Sequence, residues 1–234
     1  MSSVPVESVT DLSTCSTEMM GSDMGFSFLR RYCIAAALLG GFLGLSQAAT
    51  PRTVLVLGDS LSAEYGLPRG SGWVALLEQR LAGEKQAVRV VNASISGETT
   101  FGGRARLAAL LAQHQPTHVI IELGGNDALR GLALDATRAN LEWMAQQSKK
   151  AGARVLLLGM QMPPNYGADY GRRFAGLYQQ VARSEKVALL PFFLKGVADG
   201  PQALRLFQPD RIHPTAEAQP MMLDNVWPEL KKLL

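Results

Sequence analysis

Ser60 lies just past an apolar run, Val54-Leu55-Val56-Leu57, in the pentad Gly58-Asp59-Ser60-Leu61-Ser62. A serine hydroxyl attacks an acyl carbon only when a base takes its proton, and histidine is the side chain best suited to that near neutral pH. The chain contains three histidines. His114 closes a helical pattern before Pro116, where a cation suits the helix C-terminus, and His118 opens a strand pattern, so both read as structural. His213 remains, in Asp210-Arg211-Ile212-His213-Pro214. Asp210, three residues earlier, can reach the imidazole N–H within one tight turn, which would hold its tautomer and stabilise the imidazolium. An oxyanion formed at the acyl carbon needs preorganised donors, and the Ser60 N–H, the Gly97 N–H and the Asn126 side-chain amide can supply them. Each piece alone has an ordinary reading as a helix cap, a turn or a surface residue. Together they make acyl transfer through a serine nucleophile.

These residues are far apart in the chain, so the elements between them must bring them together. Strand patterns cover Thr53 to Leu57, Val88 to Asn92, His118 to Leu123, Arg154 to Gly159 and Val187 to Pro191. Helical patterns cover Trp73 to Ala82, Arg104 to His114, Ala136 to Lys150 and Tyr170 to Ser184. A last helix runs from Thr215 or Glu217 to the end, bent or interrupted at Pro220 and Pro228. Alternating β and α units with short connections predict an α/β domain built on one five-stranded parallel sheet flanked by helices. The segments around Ser60, Gly97, Asn126 and His213 then all leave the carboxyl edge of that sheet, where ligands bind in such folds.

The first 48 residues read as a leader followed by the domain at 49–234. Arg30 and Arg31 precede an apolar stretch from Cys33 to Leu45 and the small residues Ser46-Gln47-Ala48-Ala49, the order of a secretory signal peptide cleaved near Ala48 or Ala49. Met24 is a candidate start for it. The apolar stretch is short of the roughly 20 residues that span a bilayer. Export to the periplasm or beyond is the expectation, with no membrane span left after cleavage. The chain has 23 basic and 20 acidic residues; the leader removes two and four of these, leaving a net charge of about +5. No Lys/Arg run or basic-aromatic alternation points to nucleic acid. Both cysteines, Cys15 and Cys33, lie in the leader, so the domain carries no thiol or disulfide. Scattered histidines give no metal-ligand spacing, and no cofactor is expected.

Gly58-Asp59-Ser60-Leu61-Ser62, Gly97, Gly124-x-Asn126-Asp127 and Asp210-x-x-His213 resemble the four sequence blocks of the SGNH, or GDSL, hydrolases. The likeness extends through Asn92 to Gly97, Glu122 to Gly131, Pro164-Asn165-Tyr166-Gly167, Leu190 to Phe193 and Ile212-His213-Pro214, toward the bacterial periplasmic thioesterase I, lysophospholipase L1 and arylesterase group. The resemblance implies a flavodoxin-like three-layer sandwich and broad esterase, thioesterase and lysophospholipase activity. Carried over residue by residue, it implies Ser60 as nucleophile, Gly97 and Asn126 as oxyanion donors, and Asp210 and His213 as the rest of a triad. Ala128 stands where that family often has Gly, and Glu98 where Asp is common. The pentad differs from the G-x-S-x-G elbow of the α/β-hydrolases because Ser62 occupies the second Gly position. Asp59 and Asp127 are read as structural, Asp59 bonding loop amides and Asp127 fixing the loop that holds Asn126.

Apolar residues near the expected site, among them Leu67, Pro163, Pro164, Tyr166 and Phe193, suggest a groove for an acyl chain with the Pro163–Gly167 loop at its border. The expected partners are small-molecule acyl esters, thioesters or lysophospholipids, met by a monomer. A carbohydrate deacetylase on the same fold would need a polar groove. A non-catalytic lipid-binding module would not need the complete set of Ser60, Gly97, Asn126, Asp210 and His213.

Overall fold

The computed structural model describes residues 52–234. The signal-peptide reading of residues 1–48 lies outside them. Five strands form one parallel sheet: β1 (Arg52–Gly58), β2 (Val88–Asn92), β3 (His118–Glu122), β4 (Arg154–Leu158) and β5 (Ala188–Leu190), in the order β2-β1-β3-β4-β5. The central strands are continuous apolar runs because helices cover both faces. In β1 every residue from Thr53 to Gly58 is buried, and in β3 all five are. The edge strands β2 and β5 are only partly covered.

Helix α1 (Trp73–Gly83) packs with α7 (Gln219–Lys231), while α4 (Leu134–Lys150) packs between α2 (Thr100–His114) and α5 (Ala168–Glu185). The stripe Phe174, Leu177, Tyr178 and Val181 of α5 is buried, as its period requires. Short helices α3 (Gly125–Leu129) and α6 (Ala203–Leu206) complete the set. This is the three-layer α/β sandwich in the flavodoxin strand order. Among the described residues, no helix is long and apolar enough to cross a membrane.

The structure corrects some element bounds. Helix α2 begins at Thr100, a turn before the expected Arg104, because the Thr99 side chain accepts a hydrogen bond from Gly102 N (3.3 Å). Glycines 102 and 103 conceal that turn in the sequence, yet Gly103 is needed there: a Cβ would run into the Leu123 side chain on the sheet. Residues 125–129, read as loop, form α3. Pro220 falls in the first turn of α7, where its missing N–H costs nothing, and the helix continues through Pro228.

The order β2-β1-β3 has a functional consequence. The chain leaves β1 toward one edge and returns to β3 on the other side, so the loops after β1 and β3 diverge above the sheet. That switch point opens a crevice at the carboxyl ends of the strands. Ser60 follows β1, and Asn126 follows β3.

Candidate active site

Ser60 occupies a tight helical turn directly beyond β1. The Asp59 carbonyl accepts from Ser62 N (3.2 Å) and Ala63 N (3.0 Å), and Asp59 Oδ1 accepts from Leu61 N (3.0 Å). These bonds leave the Ser60 side chain half-buried and directed at the crevice. Its Oγ lies 2.9 Å from His213 Nε2, across 153 residues of sequence.

His213 is held from its own loop. Its Nδ1 lies 2.6 Å from Asp210 Oδ2, while Asp210 Oδ1 accepts from Ile212 N (2.9 Å) and His213 N (3.0 Å). A carboxylate at Nδ1 places the neutral imidazole's proton there, so Nε2 is free to accept from the Ser60 hydroxyl. The hydrogen bond with His213, with help from the two backbone N–H groups, lowers the Asp210 carboxyl to about 2. Arg211, with φ of +59°, makes the reversal that lets both side chains of this short loop converge. Gln208 pins the loop by accepting from Arg211 N at its carbonyl (2.9 Å) and donating to the carbonyl of His213 through its own N–H (2.7 Å). The Tyr65 ring covers the imidazole, with centroids 4.3 Å apart.

The other two blocks come from neighbouring strands. Asn126 sits in the first turn of α3, and its Nδ2 donates to Asp59 Oδ2 (2.9 Å), leaving the second amide hydrogen available to a ligand. The loop after β2 is stitched to β1 by Ile95 N donating to the Gly58 carbonyl (3.1 Å). Gly97 then takes φ of +78° in a turn closed from Glu98 N to the Ile95 carbonyl (3.1 Å), a conformation that favours glycine. Arg130 Nη2 donates to the Gly97 carbonyl (2.8 Å) and ties this turn to the end of α3. Asp127 accepts from Thr100 N (2.8 Å), Thr100 Oγ1 (2.5 Å) and Thr137 Oγ1 (3.3 Å), so it locks α3 to α2 and α4.

A cleft of about 610 Å³ opens from this point, with Ser60, Asn126 and His213 in its wall. Met160, Met162, Pro163, Phe192, Leu194, Leu204 and Phe207 make it predominantly apolar. Of the residues expected to line a groove, Pro163 does so. Phe193 does not: it is fully buried with its ring edge-on to Trp73 at 5.4 Å, and its neighbour Phe192 faces the cleft instead. Alternation along an extended segment explains the exchange, since adjacent side chains point to opposite sides. Leu67 and Tyr166 also lie outside the cleft wall, Leu67 in the turn closed onto the Glu64 carbonyl and Tyr166 on the surface. Pro164 opens a short 3-10 turn, Pro164–Tyr166. Of the wall formed by the segment 198–207, the sequence offers only the apolar pair Leu206-Phe207, of which Phe207 lines the cleft, because the four-residue helix α6 carries no readable period.

The remaining histidines are structural. His118 is buried, with Nδ1 2.8 Å from Thr117 Oγ1 and Nε2 2.7 Å from the Leu233 carbonyl, and His114 ends α2. Among the described residues, no cluster of three His, Cys, Asp or Glu side chains could hold a metal ion.

A half-buried serine within hydrogen-bond distance of a histidine, a carboxylate fixing that histidine and a separate amide donor form the arrangement that hydrolase-type acyl transfer requires. Residues 56–219 match the GDSL-like Lipase/Acylhydrolase family. Esterase TesA of Pseudomonas aeruginosa is 55% identical over 202 residues, covering 85% of this chain and 99% of that protein. Thioesterase 1/protease 1/lysophospholipase L1 of Escherichia coli is 44% identical over 188 residues, covering 80% of this chain and 88% of that protein. The crystal structure of TesA superposes with a TM-score of 0.75 at 56% identity, covering 78% of this chain and all of that one. The chain therefore belongs to the GDSL-like lipase/acylhydrolase family.

Proposed function

We propose that this protein is a serine hydrolase that cleaves carboxylic esters and thioesters of medium to long acyl chains through an acyl-enzyme. The observation that carries this reading is the unbroken line Ser60 Oγ to His213 Nε2 to Asp210 at 2.9 and 2.6 Å, opening onto an apolar cleft. Ser60 Oγ attacks the acyl carbon while His213 Nε2 takes its proton, and Asp210 stabilises the imidazolium that forms. The Ser60 and Gly97 N–H groups and the Asn126 amide receive the oxyanion. His213 then returns the proton to the departing alcohol or thiol. Water, activated by the same imidazole, releases the acid and regenerates Ser60.

The cleft walls support an acyl substrate over a carbohydrate one. Each methylene buried against Met162, Phe192 or Phe207 contributes about 0.8 kcal/mol, so longer chains gain affinity until the cleft is full. Arylesterase, acyl-CoA thioesterase and lysophospholipase activities are the expected forms, on small molecules met by a monomer. Residues 1–48 act as the export signal that delivers the domain at 49–234 to the periplasm or beyond.

Hydrolysis rates over p-nitrophenyl esters and acyl-CoAs from two to sixteen carbons, beside a lysophospholipid, test the proposal. Rates should rise with chain length and then level off. A fluorophosphonate should label Ser60 in the folded protein; absence of labelling would leave a lipid-binding module as the better account.

A further inference from the structure

One buried acid has no part in the chemistry above. Glu122 ends β3, in register with Gly58 of β1, and is 2% exposed. Its carboxyl fills the space that Gly58 leaves, since a Cβ at Gly58 would lie 2.8 Å from Glu122 Oε2. That oxygen accepts from Ser62 Oγ (2.8 Å) and from Asp59 N (3.2 Å). Ser62 Oγ in turn accepts from Trp73 Nε1 (3.2 Å). An indole N–H only donates, so the Ser62 hydroxyl proton is committed to Glu122, and Glu122 Oε2 is an acceptor. The carboxyl of Asp59 is close enough that the two buried acids feel each other's charge.

Two neighbouring buried carboxyls disfavour a second negative charge. No cation reaches Glu122 among the described ion pairs, and an unpaired carboxylate at this depth would cost several kcal/mol. Burial and the charge of Asp59 both push its carboxyl well above the ordinary range. Asp59 is also raised, to about 6, chiefly by burial, but Leu61 N–H and the Asn126 amide favour its ionised form. The proton therefore belongs on Glu122, and the charge on Asp59.

We propose that Glu122 is a positioning residue that works as a neutral acid. It accepts from Ser62 and the Asp59 backbone, and so sets both the turn bearing Ser60 and the Asp59 carboxylate that aims the Asn126 amide. One buried group thus aligns the nucleophile and an oxyanion donor, from strands on opposite sides of the crevice. The proposal rests on the serine-hydrolase reading for its consequence in turnover.

The test compares Glu122→Gln with Glu122→Leu, using p-nitrophenyl butyrate. Glutamine retains one acceptor for Ser62 and Asp59 N, and it is neutral. Its kcat should stay within about threefold of the parent, with an unmoved acidic limb of the pH–rate profile. The charged or titratable neighbours that bear on that limb are Asp59, Tyr178 of α5, Asp127 of α3 and, beyond Asp59, His213. Leucine orphans both donors, and kcat should fall at least tenfold with KM little changed. In the parent, difference infrared spectra should show a protonated buried carboxyl stretch that Glu122→Gln lacks. The idea is overturned if Glu122→Gln loses as much activity as Glu122→Leu, or if it shifts the acidic limb, since either outcome requires an anion. Full kcat in a folded Glu122→Leu would overturn it as well. Failure of the parent to hydrolyse the ester or to react with a fluorophosphonate would strike the parent reading instead, leaving the infrared signature to judge Glu122.

Discussion

Replacing Asn126 with alanine separates the oxyanion role from the other uses of that side chain. Asn126 Nδ2 offers two hydrogens, one held by the Asp59 carboxylate at 2.9 Å, the other available to substrate. Fixed in this way, the amide needs no reorganisation when charge develops on the acyl oxygen, which is why such donors matter most in the transition state. The Ser60 and Gly97 N–H groups remain after the substitution, so one donor is lost and not the whole hole. Loss of one such donor costs about 2.7–4 kcal/mol of transition-state stabilisation, or about 10²–10³ in kcat. The ground-state ester binds through its acyl chain, so KM should stay within about threefold. A second, independent effect follows from Asp59. Being buried, it loses a hydrogen bond to its charged form, a loss of about 1.5–3 kcal/mol. The variant should therefore melt several degrees lower while remaining folded at 25 °C. Steady-state kinetics on p-nitrophenyl butyrate and a thermal melt measure both. A fall in kcat below tenfold, or a loss confined to KM, would refute the oxyanion role and make Asn126 a binding residue only.

Other outcomes follow from the same geometry. Ser60→Ala and His213→Ala should each remove nearly all turnover and fluorophosphonate labelling while leaving the circular dichroism spectrum unchanged; near-parental rates in either would break the triad. Asp59 is raised by burial from 3.8 unfolded to about 6 folded, so folding disfavours its ionisation and stability falls as pH rises from about 4 to 6. This contribution amounts to up to about 3 kcal/mol, and Asp59→Asn should make that part of the pH–stability curve, measured by denaturant titration, shallower, the remaining slope coming from Glu122, whose carboxyl is also raised by burial. Asp210 has the opposite sign: with its folded carboxyl at about 2, its stabilising contribution is lost as pH falls from about 4 to 2, and Asp210→Asn should remove that acid-side loss. Ala198→Trp, in the far wall of the cleft, should depress rates on twelve- to sixteen-carbon esters and spare two- to four-carbon ones. Equal loss at all lengths would show that the chain does not run along that wall.

Much of the site was legible because its residues, each ordinary alone, have few alternative uses in combination. A lone histidine outside regular elements, an aspartate three residues before it, and a serine just past a buried strand restrict the chemistry to one class. The parallel-sheet reading was legible for a similar reason, since runs such as Val54–Leu57 and Val119–Ile121 are apolar on both faces. Where the reading slipped, local signals were ambiguous. Helix α3 is too short to show a period, the first turn of α2 is masked by Gly102 and Gly103, the second of which packs on Leu123, and Phe192 and Phe193 are indistinguishable until the chain's path determines which one faces Trp73. Glu122 did leave a sign, a lone carboxyl closing an apolar strand beside the one that leads to Ser60, but its meaning depends on what lies across from it.

The sequence by itself determined the residue types able to hydrolyse an acyl bond and the alternation of strands and helices that carries them, because both depend on local composition and spacing. Only the tertiary structure decided that Ser60 and His213 meet at 2.9 Å, that Asp59 holds Asn126, and that Phe192 and α6 wall the cleft. Those facts depend on strand order and register, through which residues 153 positions apart become neighbours, and on burial, which turns an ordinary glutamate into a neutral acid.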